Sequence, residues 1–180
     1  MSGSAHGAHG SEGLGAHRAA AATAVPTAVL TVSDPRTLET DTGGALAAEL
    51  LAGAGHPVAW RRIVRDEPDE IRAAVAGALA DDGVRALVVT GGTGVAPRDV
   101  TPESVEPLLE RIVPGFGELF RALSFTEIGS AALLSRALAG LARGRVVFVV
   151  PGSRGAVRLA LERLVLPEIG HLAAEAVKTR

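Results

Sequence analysis

Thr90 to Glu103 reads TGGTGVAPRDVTPE, directly after the apolar run Ala86-Leu87-Val88-Val89. Gly91, Gly92 and Gly94 let the backbone approach a ligand where residues bearing Cβ could not. Thr90 and Thr93 add hydroxyls, Arg98 a cation and Asp99 a carboxylate that could hold a metal. Together these make the chemistry of a phosphate site. A glycine cluster after a strand is more often a plain turn, so the reading depends on its surroundings. Neither the G-x-x-x-x-G-K-[ST] nor the G-x-G-x-x-G spacing occurs here, which argues against P-loop and dinucleotide readings.

The surroundings are those of one α/β domain. A chain of 180 residues with 47% hydrophobic content can bury a single core. A formal net charge of −2 provides no basic field for nucleic acid, and no apolar run is long enough to span a bilayer. With no cysteine there is no thiolate chemistry and no disulfide, which suits a reducing compartment, and a cytoplasmic location is expected. Lys178 is the lone lysine, so anion contacts must come from arginine, backbone N–H groups or a bound cation. Residues 1–26 are almost wholly Gly, Ala, Ser and His and are expected to form a flexible extension before a single domain over 27–180. His6, His9 and His17 in that extension are given no role in the site.

From Thr27 onward strands and helices alternate. Strands are expected at Thr27–Val32, Pro57–Val64, Val84–Val89 and Arg145–Val150. Between them, a helix from Thr42 to Ala54 has Asp41 or Thr42 as cap and Gly55 as stop. A second, opened by Pro68, turns Ile71, Val75, Ala78 and Leu79 to the core. Further helices are expected from Thr101, over Gly115–Leu123 and after Ser153, with no internal repeat. Parallel strands need crossovers, so the expected architecture is three-layer α/β/α around a mostly parallel central sheet.

In such sheets ligands bind beyond the carboxyl ends of the strands. That rule gathers Ser33 and Asp34, Asp66, the segment from Gly91 to Asp99, and Pro151, Gly152 and Ser153 at one rim. Each has a structural rival: Ser33 and Asp34 could form a turn, Asp41 could cap its helix while Gly43 and Gly44 leave N–H groups open to an anion, and Asp66 could cap the Pro68 helix. Asp99 could pair with Arg98 or support the Thr101 turn. Two carboxylates beside a phosphate loop are repelled by substrate charge unless a cation lies between them, so Asp66 and Asp99 together suggest magnesium. His56 and His171 look like ordinary element-end histidines, and Trp60 like core or interface filler.

Thr31-Val-Ser-Asp34, Asp41-Thr-Gly-Gly44, Gly91-Gly-Thr-Gly94, Pro97-Arg-Asp-Val-Thr-Pro-Glu103, Gly115-Phe-Gly-Glu118 and Pro151-Gly-Ser153 occur in an order that resembles the MogA/MoaB family of molybdenum cofactor biosynthesis. The likeness runs from about Thr27 to Lys178, and Phe116–Gly129 with Leu134-Ser-Arg-Ala137 looks most like the MoaB branch. Departures are Pro35 before Arg36, and Arg154-Gly155 after Pro-Gly-Ser. The resemblance implies a molybdopterin-binding fold and a molybdopterin adenylyltransferase, a nucleotidyltransferase with Mg-ATP and molybdopterin as substrates and pyrophosphate as leaving group. The alternative it implies is a catalytically silent molybdopterin-binding carrier; a scaffold role is the weakest of the three. By analogy Asp66 and Asp99 are the catalytic, magnesium-associated carboxylates and Gly91–Gly94 the phosphate cradle. Ser33, Asp34, Pro151, Gly152 and Ser153 are then the rest of the rim. The implied partners are further copies of the chain, as homotrimer or hexamer, and the downstream molybdenum-insertion protein, with no nucleic acid and no membrane.

Overall fold

Three buried, mostly apolar strands, β1 (Thr27–Val32), β3 (Ala86–Thr90) and β6 (Arg145–Val150), and the half-exposed edge strand β2 (Val58–Val64), which carries Arg61 and Arg62, run parallel in the order β2-β1-β3-β6. Two more, β5 (Leu138–Ala142) and β4 (Arg111–Ile112), continue the sheet antiparallel beyond β6. The structure is a computed structural model describing residues 24–178. The extension before Ala24, with His6, His9 and His17, lies outside the described residues. Val25 is buried and its N–H bonds to His56 Nδ1 at 3.1 Å. Burial lowers the pKa of His56, which suits that acceptor role.

Strand residues alternate between two cores, as the two-residue period of a strand requires. Val29, Val88, Val146, Phe148 and Val150 face one layer, built from α1 (Thr42–Gly53), α4 (Pro114–Ile128), α5 (Arg154–Ala160) and α6 (Leu166–Ala176). Ala28, Leu30, Val32, Leu87, Val89, Val147 and Val149 face the other, where α2 (Pro68–Ala80) lies. There Ile71, Val75, Ala78 and Leu79 are all buried, as their spacing predicts. Fully burying the larger of these is worth about 1.5–3 kcal/mol each. A last short helix, α3 (Thr101–Val105), follows the glycine segment. A π-helical turn over Leu161–Val165 joins α5 to α6.

Two features depart from the sequence reading. The region between the Thr101 helix and Arg145 is not wholly helical, because it contains β4 and β5. Leu138-Ala-Gly-Leu-Ala142 has none of the β-branched residues that mark strands; its pairing is set by the tight turn at Arg143 and Gly144, with φ of 49° and 72°. That positive-φ pair matches the twist of the strands it joins. Helix α4 also runs five residues past the expected end at Leu123, to Ile128.

Candidate functional site

The sheet order reverses at β1 and β3, since β2 lies beyond β1 while β6 lies beyond β3. That is the place where an open α/β sheet leaves a crevice at its carboxyl edge. Thr31 pairs with Thr90 in register, and the chain then turns through Gly91 (φ +105°) and Gly92 (φ +61°). A Cβ on Gly91 would lie 2.2 Å from the Val32 carbonyl oxygen. One on Gly92 would lie 2.2 Å from Thr101 Oγ1 and 3.0 Å from Asp66 Oδ1. Both positions therefore need glycine, for conformation and for space.

The loop after these glycines is held from outside by Arg136. Its backbone N–H donates to the Thr93 carbonyl at 3.1 Å and its Nε to the Gly94 carbonyl at 2.7 Å. The other guanidinium nitrogens reach the Asp99 carbonyl and the Glu103 carboxylate. Asp99 folds back so that Oδ2 accepts the Ala96 N–H at 2.9 Å. Asp99 thus neither pairs with Arg98 nor caps the Thr101 helix; Val100 holds the cap position.

Asp66 and Asp34 bridge the ends of β2 and β1. Asp34 N–H donates to Asp66 Oδ2 at 3.1 Å, and Asp66 N–H donates to Asp34 Oδ1 at 3.3 Å. Asp66 is not a cap either, since Glu67 precedes Pro68 at the start of α2 and no side chain caps that helix. Arg98 pairs with Asp34 at 2.5 Å and reaches Glu67 at 3.7 Å. The Asp66 carboxyl is pushed above its ordinary pKa, first by burial and next by the Asp34 charge, with a smaller push from Asp99. The bond from the Asp34 backbone and the charge of Arg98 oppose it. Asp66 is therefore coupled more to Asp34 than to Asp99. Among the described residues no group of three His, Cys, Asp or Glu is close enough to hold a metal by itself. A carboxylate pair beside a glycine turn is a donor set of the kind magnesium takes, which binds through one or two carboxylates together with substrate phosphates.

Asp41 is buried, with Oδ2 accepting from Thr31 Oγ1 at 2.7 Å and Oδ1 from the Gly44 N–H at 2.9 Å. Both oxygens are used inside the fold, where they cap α1 and tie it to β1. Gly43 packs against the Gly152 carbonyl, joining the α1 start to the Pro151–Ser153 loop. Ser153 caps α5 by accepting the Ala156 N–H at 3.2 Å.

Two concavities flank this centre. A cavity of about 300 Å³ has Gly92, Thr93, Gly94 and Asp99 on one wall and Pro151, Gly152 and Ser153 on another. Phe120, Ile128 and Leu134 provide its apolar side. A groove of about 480 Å³ begins at Ser33 and Asp34 and is lined by arginines. Asp66 stands between them, against Gly92 on one side and Asp34 on the other, with Arg98 closing over Asp34.

Sequence reasoning missed Arg136, Thr101 and the apolar wall from α4. Thr90 Oγ1 and Thr101 Oγ1 are both buried without a hydrogen-bond partner at the glycine bed. An unpaired buried hydroxyl costs about 1–3 kcal/mol, so each is a donor left unspent by the fold. Thr101 stood in the sequence as a helix start, and its place at the first helical position rather than the cap is what frees its hydroxyl.

This doubly covered sheet with a glycine bed at its switch point is an α/β fold shared with proteins of molybdenum cofactor biosynthesis. Residues 28–171 match the family model described as "Probable molybdopterin binding domain". The chain belongs to the MogA/MoaB family of molybdenum cofactor biosynthesis, on its MoaB side. It is 47% identical over 165 residues to Molybdenum cofactor biosynthesis protein B of Halalkalibacterium halodurans, covering 91% of this chain and 97% of that protein. Its fold is similar to a crystal structure of Molybdenum cofactor biosynthesis protein B, with a TM-score of 0.84 and 48% identity over 86% of this chain and 96% of that one. It is also similar to the tungsten cofactor synthesizing protein MoaB from Pyrococcus furiosus. There the TM-score is 0.78 and the identity 37%, over 86% of this chain and 98% of that one.

Proposed function

We propose that this protein is a molybdopterin adenylyltransferase, moving AMP from Mg-ATP to the terminal phosphate of molybdopterin and releasing pyrophosphate. The observation that carries the reading is the bed at Gly91 and Gly92. The chain turns tightly there against Val32 and Thr101, the hydroxyls of Thr90 and Thr101 are unspent, and the Asp66 carboxylate abuts it. The cavity of about 300 Å³ beside it, apolar on the α4 side and polar at the glycine wall, suits a heterocycle whose phosphate reaches the bed.

The attacking group is a phosphate oxygen that is already anionic, so no histidine or other general base is needed. The barrier is charge crowding between phosphates. The Gly91 N–H donates to the Val150 carbonyl at 3.0 Å, so the N–H groups of Gly92, Thr93 and Gly94 and the two threonine hydroxyls would hold the terminal phosphate, and Arg136 keeps that bed in one shape. Asp66 and Asp99 would hold magnesium, which when bound supplies positive charge between the phosphates.

We further propose a cytoplasmic protein that self-associates as a trimer or hexamer and passes its product to the molybdenum-insertion protein. Among the described residues no helix is long and apolar enough to cross a membrane. Incubation with molybdopterin, ATP and magnesium should yield adenylyl-molybdopterin and pyrophosphate. Retention of the pterin with no adenylylated product would replace this reading with the silent carrier.

A further inference from the structure

We propose that the groove at the β2 edge, centred on Arg36 and Arg61, binds the condensed-phosphate tail of the nucleotide and holds pyrophosphate as it leaves. This inference rests on the adenylyl-transfer reading for its biological sense, but the binding it asserts can be measured separately.

The groove's arginines divide into committed and uncommitted groups. Arg65 is paired with Glu70, and the Arg62 guanidinium lies over the Trp60 ring, 4.5 Å from its centroid. Arg36 and Arg61 have no carboxylate within 4 Å among the described residues. Arg36 Nη1 donates to the Thr40 carbonyl at 3.1 Å, and one Arg61 nitrogen donates to the Leu38 carbonyl. Arg61 Nε is buried with no partner at all. Charged side chains on an edge strand commonly serve to prevent edge-to-edge pairing. That role explains an exposed guanidinium, but not one drawn against the 37–40 loop with a donor left buried and unpaired. Two guanidinium groups lining one concavity of about 480 Å³ form a receptor for an anion with several oxygens and more than one charge.

The position of the groove selects which anion. Its wall includes Ser33 and Asp34, and the Asp34 N–H bonds to Asp66, whose other oxygen lies against Gly92. The glycine bed and the groove therefore lie on opposite sides of Asp66. In phosphoryl-type transfer the attacking and leaving oxygens are roughly in line across the phosphorus. An oxygen of the pterin phosphate forms the new bond to the α-phosphorus. The bond from that phosphorus to the bridging oxygen breaks, and its electron pair leaves with pyrophosphate; no proton has to move. With the nucleophile held at Gly91 and Gly92, the leaving side is the side of Arg36 and Arg61, whose charges would offset what the leaving group gains.

The test is titration calorimetry with inorganic pyrophosphate, with and without magnesium, on the wild type and on Arg36→Gln/Arg61→Gln. Arg111→Gln serves as a control, removing the same charge from β4 at the far edge of the sheet. Pyrophosphate affinity should fall about tenfold or more in the double variant, roughly the weight of one charge-assisted hydrogen bond, and stay within about twofold in the control. Molybdopterin affinity should be unchanged in both. Because Arg61 also holds the Leu38 carbonyl, Arg36→Gln alone is measured too and should weaken pyrophosphate by a smaller factor with an unaltered melting curve. Equal pyrophosphate affinity in wild type and both groove variants, or an equal loss in the control, overturns the proposal. If no adenylyl-molybdopterin forms but the groove variants lose pyrophosphate, the groove stands and the activity falls. If product forms and its inhibition by pyrophosphate is the same in the variants, the activity stands and the groove falls.

Discussion

Arg136 Nε donates to the Gly94 carbonyl at 2.7 Å, across 42 residues of sequence, and the same guanidinium reaches the Asp99 carbonyl. One side chain from the segment before β5 thus sets the shape of the loop that carries Asp99. Arg136→Ala should lower stability by about 2–4 kcal/mol, since several charge-assisted bonds go together, and turnover by about tenfold or more. Arg136→Lys cannot reproduce the fork and should recover only part of the turnover. Thermal melts and steady-state rates measure the two effects. A variant with wild-type turnover would remove Arg136 from any part in positioning the site.

Asp66 predicts a trade between stability and activity. Its folded pKa is raised, so its ionised form is penalised in the fold, and protein stability gains as pH falls through that raised value and the group protonates. Asp66→Asn keeps an acceptor for the Asp34 N–H and removes the charge. The variant should melt higher than the wild type at neutral pH. This advantage should shrink as pH falls through the raised pKa and vanish below the unperturbed value of 3.8. Turnover should nevertheless fall about 10²-fold, with pterin binding much less affected. A melting-temperature difference that ignores pH would show that the Asp66 charge is not under strain.

The sequence made the parallel half of the sheet legible because burial on both faces leaves unbroken runs such as Val146-Val-Phe-Val-Val150, and α2 because its buried residues recur at helical spacing. The rim was legible because the ends of parallel strands must meet at one edge. The pairing of Asp34 with Asp66 was not, since it joins residues 32 positions apart through backbone N–H groups that no side-chain pattern reports. Arg136 stood in plain view within Leu134-Ser-Arg-Ala137 but offered no local signal, because its partners are carbonyls of a distant loop. β5 was missed because its pairing comes from a hairpin turn and not from strand-forming residues.

Thr101 provides a test of whether the unspent hydroxyl belongs to ligand binding. Thr101→Val replaces a buried hydroxyl that has no partner with a methyl of similar shape. Stability should hold or rise, by up to about 1 kcal/mol, because an unsatisfied group is removed. Affinity for molybdopterin should fall by about five- to tenfold if the hydroxyl donates to the phosphate. Chemical denaturation and pterin titration give the two numbers, and a loss of both together would mean that the hydroxyl serves the fold instead.

Self-association is expected to run through the outer face of α4 and the turn that follows it. Phe125 is 62% exposed, Ile128 59% and Leu133 79%, a concentration of large apolar side chains that single soluble subunits rarely leave in water. Ile128 also belongs to the apolar wall of the cavity, so a neighbour covering this face would shield the ligand as well. Phe125→Asp/Leu133→Asp should leave the sheet and the glycine bed intact, because both side chains point away from either core. The mass in sedimentation should fall from that of a trimer or hexamer to that of a single chain. Pterin affinity should drop with it, by a factor that protein concentration cannot restore. A wild-type chain that sediments as a monomer, or a variant that keeps the assembled mass, would place the interface elsewhere.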